Sequence, residues 1–68
     1  MTEKDKVIEA YNVWQENKKS LQKEYEQKYL ECEDAKSVLD LNDWHEKQAE
    51  LYYQEFIEKM NNIVTEGN

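Results

Sequence analysis

The residues best able to do chemistry lie in one stretch, ECEDAKSVLDLNDWHE, which runs from Glu31 to Glu46. This stretch holds six carboxylates, one lysine, and the only cysteine and only histidine in the sequence. Carboxylate, thiolate and imidazole groups bind metals and transfer protons. The stretch therefore raises three possibilities: a metal site, a catalytic site, or an acidic surface for a partner protein.

A metal site is not expected. Zinc sites usually combine two or more Cys or His ligands at short spacing, whereas Cys32 and His45 stand alone and far apart. A calcium loop needs alternating oxygen ligands around a central glycine, which this stretch lacks. We expect neither a metal nor any other cofactor.

Catalysis is not expected either. Cys32 falls on an apolar helical seam, where a thiol acts as a small hydrophobic group, and His45 is expected at the edge of the packed core. The sequence contains no glycine-rich phosphate loop and no nucleophile elbow. The carboxylate pairs of an acidic helix carry little information. We predict that the protein is not an enzyme.

The composition predicts an all-α protein. The sequence has no proline, and its single glycine is Gly67, so the interior lacks helix-breaking residues. Charged residues make up 37% of the chain, with Glu, Lys and Gln dominant, which favours long helices. At 68 residues the chain allows one domain, and so short a chain gains stability from association.

The charge and the cysteine count limit the partners and the compartment. A net charge of −7 without any arginine argues against direct binding to nucleic acid. No apolar run approaches the roughly 20 residues of a membrane span, and the first residues lack the apolar core of a signal peptide. One cysteine allows no internal disulfide. We expect a cytoplasmic protein that does not bind membranes.

The first helix is predicted over about residues 3–36. Thr2 and Asp5 have the spacing of a capping box, which places the helix start near Glu3. Beyond it, apolar residues repeat in steps of three and four, and Ile8 and Tyr29 widen this stripe. The predicted core or dimer-interface positions in this helix are Val7, Tyr11, Trp14, Leu21, Tyr25 and Cys32.

The second helix is predicted over about residues 41–64, after a turn at about 37–40. Asp40 fits an N-cap, because Asp43 follows at the third helical position and Leu39 with Trp44 fits a hydrophobic staple. The predicted core or dimer-interface positions are Ala49, Tyr52, Phe56, Met60 and Ile63, with Tyr53 and Val64 at the edge of the stripe. Because the turn lacks Gly and Pro, one long bent helix remains the alternative.

The predicted fold is a single helical-hairpin domain over residues 1–68, with two antiparallel helices. A lone hairpin leaves much of each apolar face in water, and two hairpins packed as a four-helix bundle would cover it. We therefore expect a homodimer with closed two-fold symmetry, whose parallel or antiparallel arrangement the sequence leaves open.

The predicted function is that of a small acidic, non-enzymatic regulator or inhibitor, which occupies the surface of a larger protein, with a basic surface as one candidate. Acidic residues would steer the partner, and Trp44 with Leu51, which project away from the main apolar stripe, would supply a buried anchor. The predicted protein-binding residues are Glu31, Glu33, Asp34, Asp40, Asp43, Trp44, Glu46 and Leu51. Small acidic helical proteins of this kind occur among phage-encoded inhibitors and bacterial regulators, a comparison of class only.

Two alternative functions belong to other classes. The first is nucleic-acid mimicry, in which the carboxylates imitate phosphates and block a basic DNA- or RNA-binding groove. The second is a structural coiled-coil element that links subunits of an assembly.

Overall fold

The chain forms two α-helices that pack against each other as an antiparallel hairpin. A computed structural model describes residues 2–66, in which α1 spans Glu3–Glu31 and α2 spans Ala35–Glu66. The ammonium of Lys6, near the start of α1, lies 3.3 Å from a carboxylate oxygen of Glu66 at the end of α2. The prediction of an all-α hairpin is confirmed, and the alternative of one long bent helix is wrong.

The first helix begins where the capping-box pattern predicts. The Thr2 hydroxyl accepts a hydrogen bond from the Asp5 backbone N–H at 3.1 Å, and the Asp5 carboxylate accepts one from the Thr2 N–H at 3.4 Å. Two backbone donors that no helical carbonyl can reach are thereby satisfied. The cap fixes the register from which every later position of α1 follows.

The reversal of the chain comes earlier than predicted, at Cys32–Asp34 instead of 37–40. Cys32 ends α1 in an extended conformation (φ −70°, ψ 133°), and its N–H donates to the Tyr29 carbonyl at 3.1 Å. No described residue has a positive φ, so this reversal needs no glycine. The predicted end of helix 1 near residue 36 and the predicted start of helix 2 near residue 41 are both wrong.

Asp34, and not Asp40, caps the second helix. A carboxylate oxygen of Asp34 accepts a hydrogen bond from the Ser37 backbone N–H at 2.8 Å, three residues along, as an N-cap side chain does. Asp40 lies inside α2, so Leu39 and Trp44 do not flank a helix start as a hydrophobic staple would require.

The position of the turn sets which residues face each other. When the turn of a hairpin moves by one residue along the sequence, each residue of the first helix faces a residue two positions further along the second helix. The observed turn places Trp14 against Phe56 and Tyr25 against His45. It also brings Leu41, which the sequence prediction places at a helix start, into the buried interface. The packing of these apolar residues explains why α2 begins after Asp34, although the sequence pattern favours an N-cap at Asp40.

The interface between the helices buries few side chains. The residues with less than a tenth of their surface exposed are Ala10, Leu21, Leu41 and Ile63. Of the predicted core positions, Leu21 and Ile63 are buried and the others are half-buried, except Tyr11, which is 48% exposed. Ala10, four residues before Trp14, holds the buried position instead, because residues i and i+4 share a helix face.

Aromatic rings fill most of the remaining interface. The rings of Trp14 and Phe56 stack with centroids 4.6 Å apart and an interplanar angle of 13°. Tyr11 packs edge-on against Phe56 at 6.4 Å, and Tyr53 lies tilted against Trp14 at 5.7 Å. Such pairs contribute about 0.5–1.5 kcal/mol each beyond the area that they bury. The cluster ties the two helices together in the half of the hairpin away from the turn.

The hairpin is a thin ribbon. Its Cα atoms extend over 52 × 16 × 7 Å, and no described side chain has less than 2% of its surface exposed. Neither helix in residues 2–66 has an apolar stretch of the length that crossing a bilayer requires. The ribbon therefore presents two broad faces, and any site must lie on one of them or at an end.

Substituting Asp34 tests the position of the cap. We expect Asp34→Ala to lower the melting temperature by a few degrees, because α2 then loses the acceptor for its first-turn N–H. Asp40→Ala, inside α2, should leave the melting temperature unchanged or raise it slightly, since Ala favours helix. Thermal unfolding followed by circular dichroism measures both, and a larger loss for Asp40→Ala would contradict the observed cap.

The same carboxylate makes stability depend on pH. The Ser37 side chain, and then its backbone N–H, hold the pKa of Asp34 below its ordinary value of 3.8. A depressed pKa stabilises the folded state fully above the unfolded-state pKa, and this contribution disappears as the pH falls through the folded-state pKa. The stability difference between the wild type and Asp34→Asn should therefore shrink as the pH is lowered below about 4. A difference that stays constant down to pH 2 would contradict this coupling.

Two leucines on α1 provide a matched test of the interface. Leu21 is 4% exposed and Leu30 is 84% exposed. Leu21→Ala should lower the free energy of unfolding by about 2–4 kcal/mol, because it leaves a cavity between the helices. Leu30→Ala should change the same quantity by less than about 0.5 kcal/mol. Urea unfolding at one fixed protein concentration measures the difference, and equal effects would place Leu21 outside the core.

Candidate functional site

The six predicted acidic residues surround the turn end of the hairpin without forming one surface. All six side chains are exposed, and Asp34 is committed to capping α2. Asp40, Asp43 and Glu46 follow each other at intervals of three residues, which turns successive side chains by about 60° around the helix. They therefore produce a negative field around this end, and do not converge on a shared ligand position.

Some of these acids already have partners in the chain. Asp43 lies 3.0 Å from the Lys47 ammonium, one helical turn further on. Both side chains are well exposed, so the pair contributes little to stability and is readily exchanged for an outside partner. Within residues 2–66, no three Cys, His, Asp or Glu side chains are placed to hold a metal ion.

The cysteine and the histidine each have a packing role. The Cys32 thiol is free and half-buried, and it donates to the Lys28 carbonyl at 3.3 Å. The His45 ring packs against the edge of Tyr25 with centroids 4.8 Å apart. The Tyr25 hydroxyl in turn donates to the Asn42 side-chain oxygen at 2.6 Å. The two contacts of Tyr25 join α1 to α2 in the half of the hairpin near the turn, whereas the Cys32 contact stays within the last turn of α1.

The Trp44 side chain is less accessible to a partner protein than the sequence predicts for an anchor residue. The Lys28 ammonium lies over its ring, 4.4 Å from the centroid, and also 3.9 Å from a Glu24 carboxylate oxygen. Trp44 is half-buried, while Leu51 is 52% exposed. Their separation of seven residues places both on one side of α2. The structure thus brings the two residues onto the same side, but one side of the indole is already covered by a cation.

The larger apolar surface lies on the other side of the ribbon and is not among the predicted protein-binding residues. We call it the aromatic face, and its exposed side chains are Ile8, Tyr11, Tyr29, Tyr53, Ile57 and Val64, each between 36% and 54% exposed. Contacts of Tyr11 with Phe56 and of Tyr53 with Trp14 show that both helices contribute to this face away from the turn, while Tyr29 lies near the turn and stacks on Tyr25. The sequence signal was the widening of the apolar stripes by Ile8, Tyr29, Tyr53 and Val64.

Helical geometry separates this face from the one that carries Trp44. Residues two apart on a helix point about 200° away from each other. Leu51 is two residues from Tyr53, and Val13 is two residues from Tyr11. We call the side with Val13, Trp44 and Leu51 the opposite face. There, α1 and α2 form a groove open to solvent, lined by Lys6, Glu9, Ala10, Val13, Lys59, Asn62, Ile63 and Glu66.

The fold and the surfaces define a helical hairpin with two chemically distinct faces. No protein-family model matches the chain, and neither does any curated protein or solved structure.

Removing the Lys28 ammonium tests whether it covers the Trp44 ring on the opposite face. In a Trp14→Phe background, where Trp44 is the only tryptophan, we expect Lys28→Ala to make the fluorescence more accessible to acrylamide, because the indole loses its cover. The contact itself should be worth about 0.5–1 kcal/mol, as for other exposed cation–π pairs. Lys23→Ala is the matched control, since Lys23 has no such ring contact among the described residues. Equal quenching in both variants would show that Lys28 does not cover Trp44.

Proposed function

We propose that the protein is a non-enzymatic, protein-binding regulator or inhibitor that acts by occupying the surface of a larger partner. The observation that carries this proposal is the amount of apolar surface left in water. Ten large hydrophobic side chains of residues 2–66 are at least 36% exposed, whereas four hydrophobic residues are buried. Exposed apolar patches of this extent, rimmed by polar groups, are typical of interaction surfaces.

The proposed partner surface is basic. Residues 24–46, the third of the chain around the turn, contain eight acids and two lysines, whereas residues 1–23 contain four acids and five lysines. Such a field raises the rate of association with a positively charged surface and disfavours acidic competitors. Trp44 and Leu51 lie beside this charge on the opposite face, which supports their role as the apolar contact within an acidic surround.

We further propose that the working form is a cytoplasmic homodimer, in which two hairpins pack as a four-helix bundle. The thin ribbon supports this proposal, because each helix packs against one neighbour, whereas each helix of a bundle packs against two. The free Cys32 thiol is compatible with a reducing compartment.

Affinity capture with three versions of the protein tests the proposed function. The intact chain, Trp44→Ala/Leu51→Ala and Asp40→Asn/Asp43→Asn/Glu46→Gln are used as bait in an extract of the source cells, and retained proteins are identified by mass spectrometry. We expect a protein that binds the intact chain and is lost with the Trp44/Leu51 variant. With the purified partner, that variant should bind at least about 30-fold more weakly, as for a hot-spot pair.

The acid-neutralised variant separates the alternatives. Under the proposed function it should mainly slow association and reduce its salt dependence, leaving the dissociation rate nearly unchanged. If binding needs the acids but not Trp44 or Leu51, the protein is a nucleic-acid mimic. If the intact chain retains no partner and forms ordered assemblies larger than a dimer, it is a structural coiled-coil element.

A further inference from the structure

The aromatic face follows a second heptad pattern that the hairpin leaves open. On α2, Tyr53, Ile57, Met60 and Val64 are spaced by four, three and four residues, the steps of a helix-packing seam. On α1 the corresponding seam is apolar at its two ends, at Ile8 and Tyr11 and at Tyr25 and Tyr29, and it passes through Gln15, Lys18 and Gln22 between them. Of these residues, Tyr25 also packs against α2 within the hairpin. The seam inside the hairpin is a different one, which includes Leu21, Leu41 and Ile63. Each helix thus carries two adjacent seams and uses one.

Two adjacent seams on every helix are what a four-helix bundle requires. In such a bundle each helix packs against two neighbours, so one seam serves the partner within the hairpin and the other serves a second hairpin. We infer that the aromatic face is the surface through which two copies of this chain associate, face to face. The inference deepens the proposed function, on which it rests for the existence of a dimer, and leaves the opposite face free for the larger partner.

The surface and outline of the hairpin leave room for a stable dimer interface. A compact protein of 8.3 kDa is expected to expose about 4,600 Å² from the scaling of surface with mass. The hairpin exposes 5541 Å². The excess is of the order of the ~800 Å² that each partner contributes to a standard interface. The ribbon's outline of 52 by 16 Å supplies a face of the same size.

The distribution of charge selects the antiparallel arrangement of the two copies. The third of the chain around the turn, residues 24–46, has a net charge of −6 from eight acids and two lysines, while the remaining residues have a net charge of −1, since the total is −7. A parallel dimer would hold the two acidic turn segments side by side. Packed helices lie about 8–10 Å apart, close to one Debye length at physiological salt, so this repulsion would not be fully screened. An antiparallel dimer places each acidic turn segment against the less charged open end of the other copy.

One charged side chain of α1 lies within the inferred interface, because Lys18 is seven residues from both Tyr11 and Tyr25 and so lies on the same seam. The Lys18 ammonium lies over the Trp14 ring, 4.5 Å from its centroid. Lysine is able to bury its aliphatic stem while its charge reaches water, so packing of this face buries the stem of Lys18 and leaves the ammonium in water.

A matched pair of substitutions tests the face. Tyr53 and Leu51 are 50% and 52% exposed, two residues apart on α2, and lie on opposite faces. We expect the wild type to be a dimer by analytical ultracentrifugation. Tyr53→Glu should raise the dimer dissociation constant at least about tenfold, as charge in a central aromatic contact does. Leu51→Glu should leave it within about threefold, as expected for a side chain outside the interface core.

A second variant keeps the test valid if Tyr53→Glu fails to fold. Ile8 is 47% exposed on the aromatic face of the other helix, so Ile8→Glu should weaken the dimer in the same way. Circular dichroism monitors folding in each case. Dissociation by Leu51→Glu but by neither aromatic-face variant would overturn the inferred face. A wild type that stays monomeric at high concentration would overturn the dimer, while partner capture through Trp44 and Leu51 would still support the proposed function.

The single cysteine reports the arrangement of the two copies. A spin label on Cys32, next to the turn, lies at one end of a hairpin 52 Å long. Distances between labels measured by pulsed electron resonance should be about 40 Å or more in the antiparallel dimer, given a rise of 1.5 Å per residue. A distance on the order of 10 Å, the spacing of packed helices, would overturn the antiparallel arrangement.

Discussion

Two helices side by side have only one line of contact, and this limit governs the whole molecule. A side chain on that line is covered by the facing helix but remains open to water above and below the ribbon. Even Leu21, the most buried residue described, keeps 4% of its surface exposed, and the stacked rings of Trp14 and Phe56 are only half-buried. Packing within the hairpin therefore cannot use all the apolar surface that the sequence supplies.

The two faces follow from how each helix distributes its remaining apolar residues. On one side, Tyr53 and Val64 on α2 join Tyr11 on α1 to form a broad aromatic surface. On the other, Trp44 and Leu51 stand among polar and acidic positions, with Lys28 over the indole ring. A surface made of rings in two adjacent rows is suited to helix packing, and isolated apolar residues within a charged surround are suited to selective binding.

Local patterns predicted much of the fold, because they depend on neighbours in the sequence. The Thr2–Asp5 capping box and the two helical stripes needed only spacing to be recognised. The turn was misplaced because Asp34 and Asp40 are both sound local caps, and only the pairing of the helices distinguishes them. The same error hid the burial of Leu41, and periodicity did not show that the facing helix covers Ala10 more fully than Tyr11.

The candidate surfaces were predicted less well, for a related reason. Periodicity shows that Trp44 lies off the main stripe, but it does not show that Lys28, sixteen residues earlier, lies over its ring. From the sequence alone, the residues that widen the stripes, such as Ile8 and Tyr53, look like the edge of a core, because the position of the second helix is not known. The structure shows that these residues stay exposed, because the hairpin is a single layer of two helices.

The antiparallel path of the chain also imposes an order on its assembly. The hydrogen bond between Tyr25 and Asn42 spans 17 residues, whereas the ion pair between Lys6 and Glu66 spans 60. Closing a short loop costs less entropy than closing a long one, and each contact made near the turn shortens the loop that remains. The hairpin should therefore fold from the turn outwards, and local unfolding should begin at its open end. Ile8 and Val64 lie at that open end. A second copy bound there would therefore stabilise the part of the hairpin that unfolds most easily.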